Sequence, residues 1–81
     1  SAFQIIPNPF NQTTSILFNE SLQDNYDLVV SNILGQEVVR IERLNGTSAS
    51  VDLGSRTGVH LCYLIDRSTG QRIFVGKLVA Q

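Results

Sequence analysis

The chain has 81 residues, 42% hydrophobic, 16% charged and 7% aromatic, with six Gly, two Pro, one Cys and neither Met nor Trp. That length supports one small domain, residues 1–81, burying about 60–65% of its unfolded surface, and leaves no room for an enzyme built around an interdomain cleft. Six Lys and Arg against seven Asp and Glu give a formal net charge of −1, without the basic excess that nucleic-acid binding needs. No apolar run reaches the roughly 18 residues of a membrane span, and the first residues lack the basic and apolar regions of a secretory leader. The lone Cys62 forms no internal disulfide, so folding falls to the apolar core.

Apolar residues alternate, and turn residues interrupt them every eight to twelve positions, which predicts an all-β sandwich or barrel without helices. A first strand, Phe3 to Ile6, stops at Pro7-Asn8-Pro9, where two prolines remove ladder donors. Thr13 to Asn19 follows with Thr14, Ile16 and Phe18 on one face, and Ile16 and Phe18 are assigned to the core. After a polar connection at Gln23-Asp24-Asn25, Tyr26 to Asn32 reads as an interior strand. Ile33-Leu34-Gly35-Gln36 turns the chain, Gly35 supplying positive φ, and Glu37 to Leu44 returns with Val39 and Ile41 inward. Asn45-Gly46 has the composition of a type I′ turn and is expected to join that strand to Ala49 to Leu53 as a hairpin.

Beyond a loop at Gly54 to Thr57, Gly58 opens Val59 to Ile65, expected to be a central strand covered on both faces. Asp66 to Gln71, with Gly70 at its permissive position, leads into Arg72 to Ala80, where an internal Gly76 predicts a bulge or a close backbone approach. Without a bulge, Lys77 shares a face with Ile73, Val75 and Val79 and leaves Phe74, Leu78 and Ala80 to the core. With one, Ile73 and Val75 turn inward and Lys77 protects an edge. Strand count and size favour a compact immunoglobulin-like antiparallel sandwich of about seven strands.

Chemistry-bearing constellations are sparse. His60 and Cys62 share a face of one strand, but an i, i+2 pair stands roughly 6.5–7 Å apart at Cα with no orienting Asn or Asp beside it, so catalysis is not expected. Two such ligands fall short of the four of a structural zinc site. Asp24-Asn25-Tyr26-Asp27 lacks the glycine and distal Glu of a calcium loop and reads as a solvated turn. Neither a phosphate loop, paired carboxylates nor a Ser-His-Asp set can be assembled, so no catalytic residue, metal or cofactor is assigned. The sequons at Asn11, Asn19 and Asn45 are frequencies expected of a Ser/Thr-rich chain.

Pro7-Asn8-Pro9-Phe10, Leu34-Gly35-Gln36-Glu37-Val38, Gly58-Val59, Thr69-Gly70-Gln71 and Gly76-Lys77-Leu78-Val79 form an ordered set. Together they resemble the type A C-terminal sorting domain of the Bacteroidetes type IX secretion system across nearly the whole chain. The resemblance implies a non-catalytic seven-stranded immunoglobulin-like module at the end of a larger secreted protein. It implies recognition by an outer-membrane translocon and a shuttle protein, passage through the periplasm, and arrival at the cell surface or medium. Cleavage ahead of the domain and cargo anchoring by a sortase-like transpeptidase are implied for many members. Residue by residue, Gly76, Lys77, Leu78 and Val79 match the terminal motif needed for export. Pro7, Asn8, Pro9, Gly35, Gly58 and Gly70 match positions expected to shape turns rather than touch a receptor. Where the family commonly has Tyr after the Gly-Val pair, this chain has His60, which retains a ring.

The last strand and its open edge are the expected recognition surface, through strand addition. The same edge is a candidate for strand exchange between two copies in isolation. The alternative reading is a carbohydrate-binding or adhesive sandwich appended to a secreted hydrolase. Such sites display aromatic platforms, and here only Tyr26 and Tyr63 could serve without any Trp.

Overall fold

The computed structural model describes residues 2–81, and among these the chain forms seven strands and no helix. They are β1 (Phe3–Ile6), β2 (Thr13–Gln23), β3 (Tyr26–Asn32), β4 (Glu37–Ile41), β5 (Asn45–Asp52), β6 (Gly58–Asp66) and β7 (Arg72–Ala80). Two antiparallel sheets, ordered β1-β2-β5 and β4-β3-β6-β7, face one another as an immunoglobulin-like sandwich. The alternation that defines the strands also fills the space between the sheets. Thr14, Ile16 and Phe18 of β2 and Val51 of β5 meet Leu28 and Val30 of β3, Cys62 and Leu64 of β6, and Leu78 and Ala80 of β7. Ile16 and Phe18 thus occupy the core positions their pattern predicts, and β3 lies between β4 and β6 as an interior strand.

The Asn45-Gly46 pair departs from expectation. β4 ends at Ile41 and β5 pairs with β2 in the opposite sheet, so the two form no hairpin. Glu42-Arg43-Leu44 carries the chain across the sandwich, with Arg43 at φ 53° and the Leu44 amide donating to the Tyr26 carbonyl at 2.8 Å. Leu44 is buried at the core's end. Apolar burial therefore overrides the local turn signal, and Asn45-Gly46 pairs with Leu22-Gln23 at the start of β5. β2 also runs past Asn19. Its register against β5 shifts between Leu17 and Leu22, and the irregular segment returns Leu22 to the core.

Asp27, read from sequence as part of a solvated turn, is only 5% exposed and sits in β3. Its carboxylate accepts from Arg40 Nη1 at 2.7 Å, from Arg67 Nη1 and from the Arg43 amide at 3.0 Å. Burial would raise its pKa, but these donors outweigh burial and hold it below the ordinary aspartate value of 3.8. Arg40 also forks onto Glu37, whose pKa is lowered chiefly by that hydrogen bond. The cluster ties β4 to β3 and fixes the β6–β7 hairpin, which carries Arg67, onto the same strand.

A carboxylate whose folded pKa is depressed contributes stability above its unfolded pKa and loses it as pH falls through the folded value. Unfolding free energy should therefore be flat from pH 7 to about 5 and decline below about pH 4. Asp27→Asn should cost about 1–3 kcal/mol at pH 7, discounted because both arginines are partly solvated, and should flatten the acid limb. Urea unfolding between pH 2.5 and 7 checks both; an unchanged acid limb in the variant would contradict the assignment.

Candidate functional site

Ladder registers place the motif segments spatially. Ile6 lies opposite Ser15, Asp52 opposite Thr13, Asn32 opposite His60, and Gly58 opposite Ala80. The Pro7–Phe10 segment, the β3–β4 turn, Gly58-Val59 and the end of β7 accordingly share one end of the sandwich. Thr69-Gly70-Gln71 belongs to the hairpin at the other end.

At the shared end, the first and last motifs touch. The Asn8 side chain donates from Nδ2 to the Lys77 carbonyl at 2.8 Å and accepts the Val79 amide on Oδ1 at 2.9 Å. It thereby occupies the edge of β7 as a neighbouring strand's peptide group would. Phe10 continues the seam as a parallel bridge to Ala80, its amide donating to Val79 O at 3.0 Å and its carbonyl accepting the Gln81 amide at 2.8 Å. The Phe10 ring is buried, and the Pro7 carbonyl accepts the buried Thr14 hydroxyl at 2.6 Å. Both Ile6–Pro7 and Asn8–Pro9 are cis. The β7 edge expected to be open is thus closed along Lys77–Gln81, and among the described residues of β7 only Arg72–Val75 has no backbone partner on the side away from β6.

The terminal motif divides by face. The β6–β7 register skips Val75, since Cys62 pairs with Gly76 while Tyr63 pairs with Phe74, so the bulged arrangement holds. Ile73 and Val75 pack against the core, and Phe74 is 54% exposed. Leu78 is buried and Gly76 half-buried, whereas Lys77 is exposed and Val79 half-exposed. Gly76 is also a close approach: a Cβ there would stand 2.7 Å from Ile5 Cδ1 of β1. Bulge and approach both occur, the glycine letting β1 lie against β7.

Gly35 takes φ 84° in the β3–β4 turn. Asn32 braces that turn, its Oδ1 accepting the Leu34 and Gln36 amides at 3.0 Å each, and leaves Ile33 and Leu34 74% and 80% exposed. Gly58 and Gly70 also take positive φ, at the start of β6 and in the β6–β7 hairpin. Asn8 was legible as a motif position but not as an edge cap, because its partners lie 69 and 71 residues away.

His60 and Cys62 lie on the inward face of β6, and burial pushes the thiol pKa up to about 12. His60 Nδ1 lies 3.3 Å from the Gly58 carbonyl. The expectation of two covered faces on β6 is corrected: its outer row, including Leu61, Tyr63 and Ile65, is only half-buried. Tyr26 packs against the core, and Tyr63 lies 5.5 Å from Phe74 with Arg72 over its ring. Among the described residues no group of His, Cys, Asp and Glu is arranged to hold a metal ion. The surface depressions, lined by residues such as Phe3, Phe18 and Ile73, lie at the end opposite the first and last motifs.

A family model described as the secretion system C-terminal sorting domain matches residues 4–81. No curated protein and no solved structure matches the chain.

Two substitutions probe the seam. Asn8→Ala should cost about 1–2 kcal/mol and speed hydrogen exchange at the Val79 amide, while core amides of β3 keep their relative protection. Gly76→Ala should cost about 1–3 kcal/mol through overpacking, and Ile5→Val, which removes the obstructing Cδ1, should recover part of it. Strictly additive effects in the double mutant would place the strain elsewhere.

Proposed function

Because the chain belongs to the family of type IX secretion C-terminal sorting domains, we propose that it directs an attached cargo protein across the outer membrane. Such a domain implies contact with the secretion machinery and export to the cell surface or beyond, and its family is not normally catalytic. On this reading the chain is one C-terminal domain of a larger secreted protein and performs no chemistry itself. Its cargo crosses the periplasm, meets a shuttle protein and the outer-membrane translocon, and is parted from the domain by a sortase-like transpeptidase acting upstream. Gly76, Lys77, Leu78 and Val79 form the recognition element. Lys77 and Val79 present the contact, while Gly76 and Leu78 hold the strand in place from its core side.

The observation that carries this reading is the junction of the first and terminal motifs along one edge, with Lys77 exposed beside it. It gives physical sense to two motifs at opposite ends of the chain: Asn8 holds the strand that Lys77 and Val79 present. Pro7, Asn8, Pro9, Gly35, Gly58 and Gly70 act through the shape they impose. Strand exchange between isolated copies through β7 would use Arg72–Val75 or displace the seam.

The chain fused behind a periplasmically targeted fluorescent reporter in a Bacteroidetes host should carry the reporter to the surface or medium. Deleting Lys77–Gln81 or the translocon should leave it in the periplasm. Lys77→Ala with Val79→Ala should lower export at least about tenfold without unfolding the domain, as expected of contacts central to an interface. Wild-type export by a folded double mutant would remove these two side chains from recognition.

A further inference from the structure

We propose that the outer face of β6 and β7 is a docking surface for an acidic, apolar segment of a protein partner in the export machinery. This rests on the sorting reading and deepens it, by naming the partner's chemistry and by extending the contact beyond the terminal motif. Across the ladder, Leu61 stands opposite Lys77, Tyr63 opposite Phe74 and Val59 opposite Val79, so these residues form two adjacent rows on one face. The solvated face of an antiparallel sandwich ordinarily reads polar. Here an exposed phenylalanine lies 5.5 Å from Tyr63 with the ring planes at 59°, and Arg72 Cζ stands 5.3 Å from the Tyr63 centroid. The bulge at Val75 is what keeps Phe74 outside: it sends both chain neighbours of that residue toward the core.

Charge distinguishes this face from the rest of its sheet. On β3 and β4 the carboxylates of Asp27 and Glu37 are engaged by Arg40 and Arg67. Among the described residues neither Arg72 nor Lys77 forms an ion pair. The uncompensated charges of the β6–β7 face are therefore both positive, and they flank Phe74 along one strand, roughly 13–16 Å apart. The complementary surface carries carboxylates on either side of an apolar or aromatic side chain that lies over Tyr63 and Phe74. Two separated cations on a chain of net charge −1 are too few for an anionic membrane, which recruits clusters of four to eight, and the aromatic pair is aligned for a side chain instead.

The reporter fusion separates this inference from the reading beneath it. Arg72→Glu with Phe74→Ser leaves Lys77–Gln81 intact and should lower export at least about tenfold. Arg72→Lys alone should keep most of it, and Arg56→Glu, a charge reversal in the β5–β6 loop, should export as wild type. Urea midpoints and near-wild-type circular dichroism establish folding; should the double variant unfold, Arg72→Glu and Phe74→Ser are read singly. Wild-type export by folded face variants, with truncation at Lys77 still blocking export, overturns the docking surface and leaves the sorting reading standing. Retention of the unmutated fusion removes both. Binding of the purified chain to lipopolysaccharide-containing liposomes, lost on Arg72→Glu, would assign the face to a lipid surface and overturn the protein partner.

Discussion

The seam between Asn8–Phe10 and Lys77–Gln81 is the constraint on which the rest of the structure depends. β1 belongs to one sheet and β7 to the other, and the chain passes between them within a few residues. A single side-chain amide supplies both a donor and an acceptor to the β7 edge, and the next peptide groups complete the pairing with the backbone of Phe10. Each buried or edge peptide group needs such a partner, and an unpaired edge invites association with other chains. The seam thus closes the sandwich on the side where its two sheets would otherwise part. It also immobilises the residues that the terminal motif exposes.

A second constraint acts across the four-stranded sheet. Asp27 is deep enough that its charge would be unfavourable alone, and three donors from three separate segments make it favourable. One of these, the Arg43 amide, comes from the crossing that takes the chain to the opposite sheet. The ion cluster therefore fixes β4, the crossing and the β6–β7 hairpin relative to β3, at the far side of the sheet from the seam. Between these fixed regions lies the half-covered β6–β7 face, where aromatic and apolar side chains take the place of ion pairs.

Local pattern in the sequence anticipates much of the fold, because alternation and turn residues are local properties. The starts of β1, β2, β3, β4 and β7, the Gly35 turn and the burial of Ile16 and Phe18 all follow from it. What local pattern misses is decided over long distance. Asn45-Gly46 has turn chemistry, yet the burial of Leu44 and the pairing of β5 with β2 place it in a strand. Asp27 looks like a solvated acid until Arg40 and Arg67, 13 and 40 residues away, are brought to it. The bulge in β7 was legible as one of two arrangements through Gly76. The choice between them comes from packing Ile73 and Val75 against the core. For the terminal motif, spacing along the chain shows no link to Pro7-Asn8-Pro9, while the folded edge reveals Asn8 as its brace.

The direction of β1 has a consequence for whatever polypeptide is joined ahead of it. Phe3 pairs with Phe18, near the end of the sandwich that holds the β6–β7 hairpin, and β7 runs from that end to the other. An upstream polypeptide therefore joins β1 roughly 10–14 Å, the length of that strand, from the end that gathers the first and last motifs. In a sorting domain, a strand that enters toward the motif end sets the point of attachment apart from the presented strand end, as the fixing of a handle stands apart from its grip.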